Sequence, residues 1–241
     1  MASKQKTVIV TGASQGIGAG VAQAFLGRAC NVVANSRNIR KSGPFMETEN
    51  LALVDGDIGE SDVASKIVET AIRKFGSIDV LINNAGVFIP KPFTEYTTEE
   101  FNTLVSTTLG GFLYVSQLAV RQMLRQKSGS IVNVSTTLVD QPIAGVGAAV
   151  QIMVKGALHA VTRALAIEYA KEGIRVNTVA LGVINTPMHK PETHEFLKGL
   201  HPVGRIGEIK EVVDAILFLT DATFTTGEIL HVDGGAHAGK W

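Results

Sequence analysis

A glycine-rich segment near the start of the chain, residues 11–18, has the composition of a phosphate-binding turn. It reads Thr-Gly-Ala-Ser-Gln-Gly-Ile-Gly and lies between an apolar β-branched run and an apolar helical pattern. One glycine permits a tight turn, one lets the backbone approach a pyrophosphate, and one lets the helix pack closely on the strand. The free N–H groups at the start of that helix attract phosphate. The segment therefore predicts a dinucleotide site, and the alternative is a plain glycine-rich turn.

The residues after the second apolar run select between the two nicotinamide dinucleotides. Proteins that bind NAD place an acidic side chain there for the ribose hydroxyls, whereas an arginine suits a 2′-phosphate. This chain has Asn35-Ser36-Arg37, so that Ser36 occupies the acidic position. The Arg37 guanidinium can bind a phosphate through two hydrogen bonds and stack on adenine. NADP(H) is therefore the predicted cofactor, and a surface arginine without a ligand is the alternative.

These candidate residues depend on strands and helices that alternate along the chain. The predicted strands are apolar throughout, which indicates burial on both faces, and their alternation with helices predicts a doubly wound parallel sheet. Thr97 and Glu100 form a capping-box pattern at the start of the longest helix, and residues 38–50 predict a loop in place of a crossover helix. Predicted strands cover residues 7–10, 31–34, 51–54, 79–82, 130–134, 174–179 and 228–232, and predicted helices cover residues 17–26, 63–75, 97–123, 149–171 and 208–219.

Composition limits the class of protein. The 241 residues are 45% hydrophobic and 18% charged, and 22 basic residues balance 22 acidic ones. This composition excludes global disorder, and the zero net charge argues against a nucleic-acid partner. The single cysteine, Cys30, excludes an internal disulfide framework. The first residues resemble neither a signal peptide nor a membrane span, which predicts a cytoplasmic location and no membrane partner. No linker or repeat interrupts the chain, so one domain over residues 1–241 is predicted.

Several motifs, in order and with matching spacing, resemble the short-chain dehydrogenase/reductase family. They are residues 11–18, the Asn-Asn-Ala-Gly of residues 83–86, Lys155, the Ile-Arg-Val-Asn of residues 174–177, and the Val-Asp-Gly-Gly of residues 232–235. The resemblance runs from about residue 6 to the C-terminus. It implies a three-layer Rossmann-type α/β sheet of seven strands, NAD(P)(H) as cofactor, a small-molecule substrate and a homotetramer, with a dimer as the alternative.

The resemblance also implies cofactor contacts. It places the pyrophosphate on the glycine-rich turn, the adenine against Asp57 and Ile58, and the adjacent ribose against Asn84. The nicotinamide carboxamide meets the Ile184 backbone and the Thr186 hydroxyl. The implied cofactor-binding residues are Gly12, Ser14, Gln15, Gly16, Ile17, Gly18, Arg37, Asp57, Ile58, Asn84, Gly86, Lys155, Ile184 and Thr186.

The proton chemistry of the family uses Asn, Ser, Tyr and Lys, and only the lysine is kept here. Gln151 lies one helical turn before Lys155, where the family has tyrosine. Thr136 aligns with the serine, and Ser135 or Thr137 are alternatives because the loop before Gln151 is longer than usual. Thr107 aligns with the asparagine. The implied catalytic residues are Lys155, Thr136, Gln151, Thr107 and Ser135.

The glutamine has the largest chemical consequence. An amide cannot act as a general acid near neutral pH, and losing a positioned acid typically costs about 10²–10⁴-fold in rate. Gln151 can still donate a hydrogen bond to a carbonyl oxygen. Lys155 can deliver a proton through a ribose hydroxyl or a water molecule.

Three histidines lie in the segment that covers the substrate in the family: His189, His194 and His201. Each is either a proton source or a solvated loop residue, and the second interpretation is favoured. Their spacing is not that of zinc ligands, and Cys30 belongs to a distant strand, so no metal site is predicted.

The remaining conspicuous side chains have structural interpretations. His159 is assigned to a helix-packing interface and Tyr114 to the core or an interface. Trp241 is assigned to docking on a neighbouring subunit. Residues 188–200, with Phe196, Leu197 and Leu200 at helical spacing, predict an amphipathic lid helix over an apolar pocket.

Three functions fit these observations. The first is an NADPH-dependent oxidoreductase that transfers hydride to a small carbonyl, imine or activated alkene, with a non-standard proton source. The second is an NADP(H)-binding protein without redox turnover, which Gln151 supports. The third is a non-redox lyase or cyclase built on the same pocket.

Overall fold

Seven apolar runs form one parallel sheet in the computed structural model, which describes residues 5–240. The strands are β1 (Thr7–Thr11), β2 (Asn31–Ser36), β3 (Leu51–Asp55), β4 (Val80–Asn83), β5 (Gly129–Thr136), β6 (Ile174–Leu181) and β7 (Ile229–Val232). The strand order is β3-β2-β1-β4-β5-β6-β7, and every neighbouring pair is parallel. This arrangement confirms the predicted seven-stranded doubly wound α/β fold.

Helices cover both faces of the sheet and explain why the strands are apolar throughout. In β1, Val8 and Val10 belong to one core cluster and Ile9 belongs to the other, because successive side chains of a strand point to opposite faces. The first face is covered by α1 (Gly16–Gly27) and α8 (Ile209–Asp221). The second is covered by α3 (Ser61–Phe75), α5 (Gly111–Gln126) and α6 (Ala149–Tyr169).

The longest predicted helix differs from expectation in its middle. Its capping box is confirmed, since the Glu100 N–H donates to Thr97 Oγ1 at 3.2 Å and the Thr97 N–H donates to the Glu100 carboxylate at 3.0 Å. However, α4 (Thr98–Val105) and α5 are joined by one wide π-type turn, Ser106–Gly110. Such turns are frequent at functional sites, and this one carries Thr107.

Two short helices occupy segments with weak sequence patterns. The predicted loop over residues 38–50 contains a single helical turn, α2 (Ile39–Ser42). The predicted lid helix is shorter than residues 188–200, because only α7 (His194–Lys198) is α-helical, after a 3₁₀ turn at Pro191–Thr193.

Two helical segments, Thr98–Gln126 and Ala149–Glu172, are long and apolar enough to cross a membrane. Of the apolar window in each, 44% is buried inside the fold, and α5 and α6 both contribute side chains to the core beneath the sheet. Core helices meet the same criteria of length and composition. The absence of a membrane partner therefore remains a prediction.

Candidate functional site

The carboxyl ends of the strands open onto one cavity of about 1110 Å³. It lies across β1 and β4, where the strand order reverses, which is the position at which open α/β sheets bind ligands. Every residue that the sequence assigned to cofactor binding or catalysis lines this cavity, and the roles of these residues remain predictions. The lining includes Gly12, Ser14, Gln15, Gly16, Ile17, Gly18, Arg37, Asp57, Ile58, Asn84, Gly86, Thr107, Ser135, Thr136, Gln151, Lys155, Ile184 and Thr186.

The glycine-rich turn is held by the end of β4. Asn84 donates through Nδ2 to the carbonyl oxygens of Thr11, at 2.9 Å, and Gly12, at 3.1 Å. Gly12 has a positive φ of 67°, and a Cβ at Gly18 would lie 2.2 Å from the Gly12 oxygen. A side chain at Gly18 is thus excluded, and the backbone forms a cradle suited to a pyrophosphate.

The end of β2 provides a second polar subsite. The Ser36 hydroxyl is buried and has no hydrogen-bond partner among the described residues. Arg37 is exposed and forms no ion pair within residues 5–240, whereas the guanidinium of nearby Arg40 binds Glu47 and Asp55. An unpartnered hydroxyl beside an unpaired guanidinium fits a phosphate group, so the residues present match the predicted 2′-phosphate.

The catalytic end centres on Lys155 in α6. Its Nζ donates to the Val134 carbonyl at 2.8 Å, and burial lowers the pKa of Lys155 to about 8. A Cβ at Gly86 would lie 3.3 Å from this ammonium group, so the glycine keeps space beside it. Gln151 lies one turn earlier with only 2% of its surface exposed, and its Oε1 has no partner among the described residues.

The three hydroxyl groups at the end of β5 already donate to protein acceptors. Ser135 donates to the Lys155 carbonyl at 3.3 Å, Thr136 to the Leu181 carbonyl at 3.4 Å, and Thr137 to Asp233 Oδ2 at 2.6 Å. A hydroxyl has one hydrogen to donate. The donor capacity of these three hydroxyls is therefore used, whereas the Gln151 amide oxygen has no partner among the described residues.

No tyrosine replaces the missing one. The three tyrosines of the chain are absent from the cavity lining. Tyr96 donates to the Ile89 carbonyl at 2.5 Å, and Tyr114 and Tyr169 pack against the core. Tyr114, assigned to the core or an interface, is thus partly buried against the core.

The histidines divide into different environments. The prediction of a solvated loop residue is wrong for His201, which is 4% exposed and has both ring nitrogens in hydrogen bonds. His189 is half-buried and lines the cavity, and burial lowers its pKa. His159 is buried, as expected for a packed helix, with Nδ1 3.6 Å from Asp140.

Among residues 5–240, no three His, Cys, Asp or Glu side chains are grouped to hold a metal ion. The absence of a metal site stays a prediction. Trp241, assigned to subunit docking, lies outside the described residues.

The segment after β6 lines the cavity and has backbone groups that make few hydrogen bonds. The Gly207 N–H donates to the Val183 carbonyl at 2.9 Å, and the Asn185 N–H donates to the Gly207 carbonyl at 2.7 Å. The N–H and C=O of Ile184, between these two residues, have no partner in the described part of the chain. This free pair suits a carboxamide, which needs one acceptor and one donor.

Sequence reasoning missed Ser36 as a polar subsite and much of the apolar wall. That wall comes from loops that carry no periodic pattern. It includes Val87, Phe88, Ile143 and Val146.

A parallel sheet with a glycine-rich turn at the reversal of strand order defines a Rossmann-type dinucleotide-binding protein. A family profile described as Enoyl-(Acyl carrier protein) reductase matches residues 12–237. The chain is 36% identical to glucose 1-dehydrogenase of Gluconobacter oxydans, over 95% of this chain and 91% of that protein. It is 33% identical to 3-oxoacyl-[acyl-carrier-protein] reductase FabG of Chlamydia muridarum, over 95% and 96% of the two chains. The chain belongs to the short-chain dehydrogenase/reductase family.

Solved structures show the same architecture. The structure described as ElxO with NADP bound superposes with a TM-score of 0.90 at 30% identity, over 98% of this chain and 100% of that one. An aldohexose dehydrogenase of Thermoplasma acidophilum gives a TM-score of 0.88 at 29% identity, over 98% and 96%.

Proposed function

We propose that this protein is an NADP(H)-dependent oxidoreductase that transfers hydride to a small carbonyl, imine or activated alkene without a tyrosine acid. The observation that carries the proposal is the placement of Lys155. Its buried ammonium group lies in the same cavity as the glycine-rich turn and Arg37. One cavity thus combines a backbone turn suited to phosphate with an ammonium group whose pKa is close to neutral pH. The relatives, which are named as dehydrogenases and reductases, support the reaction class.

The chain binds NADP(H), which supplies hydride when bound. The similar structure with NADP bound supports this cofactor. The glycine-rich turn would hold the pyrophosphate, and Ser36 with Arg37 would hold the 2′-phosphate. The Ile184 backbone would hold the carboxamide, with Thr186 beside it.

The proton would come from Lys155, directly or through water. A general acid works best when its pKa is near the working pH, and burial brings the pKa of Lys155 to about 8. Gln151, which we place at the position of the family's tyrosine, would orient the accepting heteroatom through its amide. Such a site suits substrates that need little acid assistance, such as imines.

The cofactor assignment predicts a selective effect of Arg37→Ala. Losing charge-assisted hydrogen bonds to the 2′-phosphate should weaken NADPH binding about 10–100-fold and leave NADH binding unchanged. Fluorescence titration with both cofactors measures this. Arg40→Ala is the matched control, because Arg40 does not line the cavity. Equal losses for NADPH and NADH would refute the 2′-phosphate contact.

The reaction class is tested by incubating the protein and NADPH with a panel of imines, activated alkenes, quinones and diketones. We expect NADPH oxidation above the buffer rate for at least one class. NADPH binding without turnover would favour the second candidate, a binding protein, for which Gln151 is the supporting observation. Product formed without cofactor would favour a lyase or cyclase. The homotetramer, or dimer, and the cytoplasmic location remain predictions.

A further inference from the structure

His201 connects the lid to the segment that follows β6. It lies just beyond α7 and is 4% exposed. Its Nδ1–H donates to the Leu197 carbonyl in α7 at 3.0 Å, and its Nε2 accepts the Val183 N–H at 2.9 Å. An imidazole that donates with one nitrogen and accepts with the other is neutral, and its tautomer is fixed by these partners.

The backbone at the end of β6 packs closely against the imidazole ring of His201. A Cβ at Gly182 would lie 2.6 Å from His201 Nε2, so the ring packs directly against the end of β6. The Gly182 N–H donates to the Val232 carbonyl at 3.1 Å, which ties this point to β7. The position of the ring thus requires glycine at residue 182, because a side chain there would collide with the ring.

Both hydrogen-bond partners of His201, Leu197 and Val183, line the cavity. On one side, Leu197 and Leu200 form part of the substrate wall. On the other side, Val183 precedes Ile184, which lines the cavity and whose backbone groups have no partner among the described residues. A change at the ring therefore affects the lid residues on one side of the cavity and the backbone after β6 on the other.

We propose that His201 is a positioning residue, which in its neutral form fixes the lid helix α7 relative to the Val183–Ile184 backbone and so sets the substrate wall and the nicotinamide subsite together. The part of this inference that concerns the nicotinamide subsite rests on the proposed cofactor site. His201 makes no chemical contribution of its own, since both of its nitrogens are engaged with the protein.

Protonation disrupts this arrangement. A protonated imidazole has two donors and no acceptor, so Nε2–H would face the Val183 N–H. Burial lowers the pKa of His201, and the charged group that faces it is Asp233. That carboxylate is already bound by Thr137 and His237. The connection is therefore complete above the ordinary histidine pKa of 6.5 and is lost as the pH falls through the lowered pKa of the folded-state ring, which lies below 6.5.

Three variants test the proposal: His201→Gln, His201→Leu and the control His231→Gln. A glutamine amide can accept from Val183 and donate to Leu197 but does not titrate, whereas leucine does neither. His231 is paired with Asp140 outside the cavity lining. Hydrogen exchange over residues 183–200, corrected for intrinsic rates, and NADPH affinity are measured at about pH 8 and about pH 5.

At the higher pH we expect His201→Leu to lose exchange protection across residues 183–200 and to bind NADPH about tenfold more weakly. His201→Gln should retain both properties. At the lower pH the wild type and His231→Gln should lose protection there, and His201→Gln should not.

The inference would be overturned if His201→Leu kept the exchange protection and the NADPH affinity of the wild type. If His201→Leu does not fold, equal loss of protection at low pH in His201→Gln and the wild type would overturn it instead. Failure of the wild type to bind NADPH at the higher pH would refute the proposed cofactor site. In that case hydrogen exchange still decides whether His201 fixes the lid.

Discussion

Replacing Lys155 by methionine is expected to lower the rate of NADPH-dependent reduction by about 10²–10⁴-fold at saturating cofactor. Methionine fills the buried space of the lysine stem but carries no proton. Lys155 is the cation that lines the cavity one turn from Gln151, and no tyrosine lines it. The measurement is kcat with each NADPH-oxidising substrate found in the panel.

The role of Lys155 as proton donor also determines how the rate of reduction depends on pH. Reduction needs the protonated lysine, so the wild-type rate should decline as the pH rises above about 8, the value to which burial lowers the pKa of Lys155. Lys171→Met, at an exposed position just beyond α6, is the control and should retain both the rate and the decline. A Lys155→Met enzyme with wild-type kcat would show that the proton comes from elsewhere, and His189 would be the next candidate.

Replacing Gln151 by tyrosine is expected to raise the reduction of ordinary ketones by about 10²–10⁴-fold, because it restores a positioned acid. Position 151 is in the first turn of α6, one turn before Lys155, and it borders a cavity with room for a larger ring. The Lys155 ammonium group would lower the pKa of the new phenol and so aid proton transfer. The measurement is kcat/KM for a set of simple ketones with NADPH.

Gln151→Phe separates the hydroxyl from the ring. It has nearly the size of the tyrosine variant and should leave ketone reduction at the wild-type level. Equal rates for the tyrosine and phenylalanine variants, with NADPH affinity retained, would mean that the loop over residues 137–148 has changed where the substrate sits. The cavity would then not be an ordinary reductase site that lacks only its acid.

Much of the fold could be predicted because its signals are local. The run Val8-Ile9-Val10 predicts a strand buried on both faces, and its side chains do divide between the two cores. The capping box of Thr97 and Glu100 is a contact across three residues, which sequence spacing can show. The wide turn at Ser106–Gly110 leaves no comparable signal, because a single π-type turn lies inside a helical segment and has no residue signature of its own.

The burial of His201 could not be predicted for a related reason. Its partners Val183 and Leu197 belong to different elements, and Val183 is 18 residues away in the chain. A histidine in a polar segment has the same appearance in sequence whether it is solvated or enclosed. Only the tertiary contacts of the ring, with Leu197 in α7 and with Gly182 and Val183 after β6, distinguish the two cases.

By itself, the sequence determined the class of fold, the family, and the position in the chain of each candidate site residue, because these depend on residue type and spacing. The tertiary structure decided the chemical state of the site. It buried Lys155, which brings its pKa close to neutral pH. It also engaged the hydroxyls of Ser135, Thr136 and Thr137 with protein acceptors and left the Gln151 amide oxygen without a partner within residues 5–240. Desolvation and hydrogen-bond partners come from groups that separate elements bring together, so the local sequence does not encode them.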